Sequence, residues 1–105
     1  MIRVIVKKQR DSITGFHIEG HSGYAGHGSD IICSAVSALA ITCVNSIEEF
    51  TEDRFSVETD EERGLVDLEV IAASAETQLL LRSMLLGIQG IETTYGSQYV
   101  MIINR

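Results

Sequence analysis

Residues 2–19 read Ile2-Arg3-Val4-Ile5-Val6-Lys7-Lys8-Gln9-Arg10-Asp11-Ser12-Ile13-Thr14-Gly15-Phe16-His17-Ile18-Glu19. Ile2, Val4 and Val6 recur at a spacing of two, which sets one apolar row on one side of an extended chain. After the turn signal Gln9-Arg10-Asp11, a second run resumes with Ile13, Phe16 and Ile18. The stretch is therefore expected to fold as a β-hairpin with one buried face, and another layer of structure must cover that face.

The remaining chain supplies that layer. From Ser29 or Asp30, either a good N-cap, Ile32, Val36, Leu39, Cys43, Ile47 and Phe50 recur at steps of three and four, the signature of a helix with one core face. Phe55 to Thr59 and Leu65 to Ile71 then alternate about the acidic turn Asp60 to Gly64, a second hairpin. Ser74 can cap a second helix with the stripe Thr77, Leu81, Met84 and Ile88. Gly87 weakens its last turn and Gly90 is the expected stop. Gln98 to Ile103 closes the chain as a strand. The order ββαββαβ predicts an α+β fold, a two-layer sandwich with both helices on one face of a largely antiparallel sheet.

The 105 residues fit a single domain spanning 1–105, and the absence of proline argues against linkers and low-complexity tails. No stretch holds the 18 or so unbroken apolar residues of a bilayer span, so no membrane association is expected. The basic start (Arg3, Lys7, Lys8, Arg10) leads into no apolar leader, which makes a cytoplasmic location the expectation and reduced cysteines its corollary. Fifteen acids against eight bases give a net charge of −7. Ten of those acids lie between Glu48 and Glu69, with Arg54 and Arg63 the only bases there, so this segment alone carries −8. Such a field repels phosphate backbones, which disfavours direct nucleic-acid binding, and it permits a basic protein partner.

Chemistry concentrates around residues 20–33. The segment from Gly20 to Asp30 has no periodicity and holds four of the nine glycines with His21 and His27, and Cys33 follows directly. The two cysteines are ten residues apart on one expected helix, about 15 Å along its axis, and cannot form a disulfide. Cys43 falls on the apolar stripe and reads as a small core residue. Cys33 lies just off the stripe, in the first turn of the expected helix, where unpaired amides and the positive end of the dipole favour a thiolate, while an ionised Asp30 opposes it. His21, at the exit of the second strand, is better anchored than His27 as a base for Cys33. Asp30 can orient a histidine or cap the helix. His17, in a strand beside Glu19, reads as a surface residue. Three readings stay open on the residues alone: a Cys33/His21 dyad, a metal site from His21, His27 and Cys33, and ordinary packing. Gly26-His27-Gly28 does not continue into a dinucleotide-binding or phosphate-loop pattern.

The block Gly28-Ser29-Asp30-Ile31-Ile32-Cys33-Ser34-Ala35-Val36-Ser37-Ala38-Leu39, with Gly20-His21-Ser22-Gly23-Tyr24-Ala25 upstream, resembles the ribosomal-processing cysteine protease family (Prp) of bacteria. The resemblance covers the whole chain. It implies a cytoplasmic, homodimeric endopeptidase, with no cofactor, that removes the N-terminal extension of large-subunit ribosomal protein number twenty-seven. It also implies Cys33 as nucleophile, His21 as general base, Asp30 beside them, and Gly28 and Ser37 as supporting positions, with the glycine-rich segment covering the cleft. Ile32 and Ser34 depart mildly from the smaller or apolar residues expected there. Two other functions compete: a zinc-dependent hydrolase using His21, His27 and Cys33, and a non-catalytic module that binds a basic ribosomal protein through the acidic face.

Overall fold

The computed structural model describes residues 1–23 and 28–104, without the side chains of residues 28–30. The elements are β1 (Ile2–Gln9), β2 (Ser12–Glu19), α1 (Gly28–Phe50), β3 (Phe55–Asp60), β4 (Leu65–Val70), α2 (Ala75–Tyr95) and β5 (Val100–Asn104). The ββαββαβ order and the α+β class are as the sequence predicts. Five strands form one sheet in the order β3-β4-β2-β1-β5, antiparallel at every junction except β1 with β5.

The core lies between the sheet and the two helices. Val4, Val6, Phe16, Ile18, Leu68 and Val70 point to it from the strands, and Ile32, Val36, Ala40, Cys43, Val44 and Ile47 from α1. Ile13 sits three residues before Phe16, one too many for plain alternation. A β-bulge resolves the mismatch: Lys7 pairs with Gly15 and Lys8 with Ile13, leaving Thr14 unpaired. The Gln78 side chain ties this irregular stretch to α2, accepting from the Ile13 amide at 2.8 Å and donating to the Ile13 carbonyl at 2.6 Å.

Helix α1 begins at Gly28, ahead of the expected caps Ser29 and Asp30, so Cys33 stands in its second turn rather than its first. Over Ile31–Phe50 the helix is long and apolar enough to cross a bilayer, with a mean hydropathy of 1.7. Its buried stripe packs in the core, and Ser34, Ser37, Thr42 and Asn45 stand on the exposed side. Phe50, expected on the stripe, is 73% exposed. Ile47, one turn earlier, is fully buried, so the covered part of the stripe ends there.

Helix α2 buries Thr77, Leu81, Met84 and Ile88, the four residues of the expected stripe. Its cap is an assembly: Ser74 Oγ accepts from the Thr77 amide at 3.2 Å, and Asp53 Oδ2 accepts from the Ser74 amide, the Ser74 hydroxyl and the Thr77 hydroxyl. These bonds, the Ser74 amide first, hold the Asp53 carboxyl below its usual value. The helix does not stop at Gly90. It continues to Tyr95 and ends at Gly96, whose amide donates to the Glu92 carbonyl at 2.8 Å and whose φ of 112° suits glycine. Gly87 lies well before the last turn and makes room for Leu39 of α1, whose Cδ1 would be 2.9 Å from a Cβ there. Nothing lies within 4 Å of a Cβ placed on Gly90. Gly90→Ala is therefore expected to raise stability by about 0.5–1 kcal/mol, read as a higher urea midpoint. A lower midpoint would mean that the helix needs a break at that position.

On the other face of the sheet, His17 is a partly exposed surface residue held between two carboxylates. Its Nδ1 lies 2.6 Å from Asp67 on β4 and its Nε2 2.9 Å from Glu19, while Lys7 on β1 holds both Asp67 oxygens at 3.0 and 3.1 Å. The Asp67 hydrogen bond, against partial burial, raises the His17 pKa above 6.5. Burial pushes Asp67 up, but bonds from His17 and Lys7 outweigh it and leave its pKa below 3.8. The His17 contribution is complete below pH 6.5 and fades as pH rises through the elevated value. The Asp67 contribution is present above pH 3.8 and fades as pH falls through the lowered one. His17→Ala should thus cost more stability at about pH 5.5 than at about pH 8.5 in urea titrations, whereas an equal loss would contradict a charged His17.

Candidate active site

Cys33, half-buried on α1, and His21, exposed just past the end of β2, line one cleft of about 650 Å³ between α1 and the β3–β4 hairpin. Ile18, Leu65 and Val66 make an apolar floor. Ser34, Ser37, Ala40 and Ile41 form the helix wall, and Thr59, Asp60 and Glu61 the opposite one. The side chains at positions 34, 37 and 40 on this wall are small, two serines and an alanine. Another depression, about 680 Å³ between α2 and β5, is lined by Leu79, Arg82, Leu86 and Ile102 among others and carries neither histidine nor cysteine.

The Cys33 sulfur accepts a hydrogen bond from the backbone amide of buried Ser22 at 3.4 Å. A thiolate accepts such a bond more strongly than a thiol does. His21 is held differently. Its Nε2 lies 2.8 Å from the backbone carbonyl of Glu62. A carbonyl oxygen only accepts, so Nε2 carries a hydrogen, and in the neutral ring Nδ1 is then the acceptor nitrogen. No hydrogen bond joins His21 to Cys33 among the described residues, an arrangement common in unliganded sites, where reacting groups tighten only around substrate.

Two glycines let the histidine and the carbonyl meet. The Gly20 amide donates to the Arg63 carbonyl at 2.9 Å, next to the Glu62 carbonyl that holds His21. A Cβ on Gly64, at a φ of 61°, would lie 2.3 Å from the Gly20 carbonyl oxygen. The turn itself is shaped by Asp60, whose Oδ1 accepts from the Glu62 and Arg63 amides at 3.0 and 3.3 Å. The Ser22 amide and the Glu62 carbonyl are both backbone groups missed by the sequence reading; the pair Gly20 and Gly64 was the available signal.

The structure therefore brings together Cys33, His21 and Ser37. The Asp30 side chain and His27 lie outside the described residues, and Gly28 is present only as the first residue of α1. Among the described residues no three His, Cys, Asp or Glu side chains converge as a metal site. Cys43 is 4% exposed, donates to the Leu80 carbonyl at 3.6 Å and has its pKa pushed up to about 11 by burial, all consistent with a packing role.

Comparison with known proteins adds to this geometry. The chain is 29% identical over 92 residues to the ribosomal processing cysteine protease Prp of Staphylococcus aureus strain Mu50, covering 87% of each chain. It is 27% identical over 101 residues to that of Bacillus subtilis strain 168, covering 90% of each. The crystal structure of the S. aureus protease with a covalently linked product peptide matches over 100% of both chains with a TM-score of 0.89 at 27% identity. Its complex with a substrate peptide matches at 0.88 and 26% over the same extent. The family model for cysteine protease Prp matches residues 1–100, and the chain belongs to that family of cysteine proteases.

Proposed function

We propose that the chain cuts the N-terminal extension from large-subunit ribosomal protein number twenty-seven, with Cys33 as nucleophile and His21 as general base. The observation that carries this reading is the shared cleft, in which His21 Nε2 is held by the Glu62 carbonyl. His21 Nδ1 takes the Cys33 proton and the sulfur attacks the scissile carbonyl carbon. As the C–N bond breaks, the imidazolium returns the proton to the leaving amine, and a thioester remains on Cys33. Water, deprotonated by the same histidine, then hydrolyses the thioester and frees the thiol. The first amides of α1 lack partners within the helix and are the candidate donors to the oxyanion. Asp30 completes the proposed site, either orienting His21 or capping α1.

A basic substrate suits the cleft, since Asp60 and Glu61 form one wall and the surrounding segment carries −8. The enzyme acts in the cytoplasm as a homodimer, without a cofactor and without a nucleic-acid or membrane partner. A mass-spectrometric digest of the extended ribosomal protein, with and without a chelator, tests the reading. A single chelator-insensitive cut near the N-terminus is expected. Loss of cutting in chelator would favour the zinc hydrolase, and no cut at all would remove this substrate.

A further inference from the structure

We infer that Arg63 is a positioning residue for the peptidase reaction, acting through Glu19 and the Glu62 carbonyl to hold His21 in its reactive tautomer. Resting on the reading of Cys33 and His21 as the dyad, the inference adds what keeps that dyad set. Arg63 Nε and Nη2 lie 3.0 and 2.9 Å from one Glu19 oxygen, Oε2. The other oxygen, Oε1, is occupied by His17 Nε2 at 2.9 Å. The guanidinium therefore fastens the tip of the β3–β4 hairpin to the last residue of β2. At that tip the Arg63 carbonyl accepts from Gly20 and the Glu62 carbonyl from His21, so two successive carbonyls of the hairpin grip two successive residues of the segment bearing the base.

Without the side-chain clamp the turn keeps its Asp60 bonds, the bond from the Gly64 amide to the Glu61 carbonyl at 3.2 Å and the Gly20 contact, none of which fixes the turn against β2 from the side-chain face. The Glu62 carbonyl then wanders relative to an exposed imidazole, which can carry its hydrogen on either nitrogen. Only the form with Nδ1 free can take the thiol proton in this geometry. Half-exposed ion pairs contribute modestly, so the expected effect is a loss of about 3- to 10-fold in kcat with KM changed less than about twofold.

The test compares Arg63→Ala, Arg63→Lys, Glu19→Gln and the double variant Glu19→Gln/Arg63→Ala with Cys33→Ala and His21→Ala as references. Steady-state cleavage of a basic peptide substrate is read alongside the ¹⁵N shifts of His21, which report which ring nitrogen bears hydrogen. Expected are a lower kcat and a mixed His21 tautomer in Arg63→Ala, partial rescue in Arg63→Lys, and a double variant no worse than the worse single one. Unchanged kcat and an unchanged tautomer, with His21→Ala inactive, would overturn the clamp while sparing the dyad. Full activity in His21→Ala or Cys33→Ala would overturn the dyad and the clamp with it. Should Arg63→Ala fail to fold, Arg63→Lys and Glu19→Gln decide the matter by the same readouts.

Discussion

Cys33→Ala is expected to reduce peptide cleavage by at least about 10³-fold in kcat/KM while leaving the thermal midpoint within about 2 °C of wild type. The reason lies in where the side chain is used. Cys33 is half-buried at the edge of the cleft, and alanine loses little there beyond the sulfur and its contact with the Ser22 amide. Ala is also the best helix former, so α1 is not weakened. Cys43→Ala should do the opposite. Its sulfur is enclosed in the core against α2, and removing it leaves a small cavity costing about 1 kcal/mol while the peptidase keeps its rate. Equal loss of turnover in the two variants, both folded, would contradict the assignment of the nucleophile.

The largest structural effect is expected from Gly15→Ala. Gly15 pairs with Lys7 of β1 at the bulge and with Glu69 of β4, so it sits inside the sheet. A Cβ built there falls 2.0 Å from the Leu68 carbonyl oxygen and 2.9 Å from its carbon, both backbone atoms that no rotamer change can move aside. Accommodating the methyl means separating β2 from β4 next to Phe16 and Leu68, two fully buried residues at the centre of the core. A loss of about 3 kcal/mol or more follows, at the upper end of what overpacking costs. Equilibrium urea unfolding followed by far-ultraviolet circular dichroism measures it. A loss below about 1 kcal/mol would mean that the two strands are not held as closely as described.

Regular spacing made much of this fold legible. Period two in β1 and steps of three and four in α2 each define a buried face without knowledge of what covers it, and Thr77, Leu81, Met84 and Ile88 are all buried as expected. Phe50 and Gly90 show where such local reading fails. Whether Phe50 is covered depends on where the sheet ends, and Gly90 is carried through because α2 is packed before that point and capped after it. The Asp67 partner of surface residue His17 could not be read from its own neighbourhood, since it comes from β4, 50 residues away, through a strand order that alternation does not specify.

The site was legible in part for a related reason. Cys33 and His21 carry chemistry in their side chains, and the block around them resembles one protease family. The groups that hold them, the Ser22 amide and the Glu62 carbonyl, are backbone atoms available at every residue and gain meaning only from position. Gly20 and Gly64 marked the close approach of the two segments, but glycine in a turn has many uses, and nothing local pairs two glycines 44 residues apart.

Intact-protein mass spectrometry of the enzyme quenched in acid during turnover of a peptide substrate tests the central claim most directly. The account predicts an added mass equal to the acyl half of the substrate, mapped to Cys33 by digestion, released by hydroxylamine and absent from Cys33→Ala. Continued cleavage by Cys33→Ala, or turnover by wild type that depends on a metal and leaves Cys33 unmodified, would contradict it.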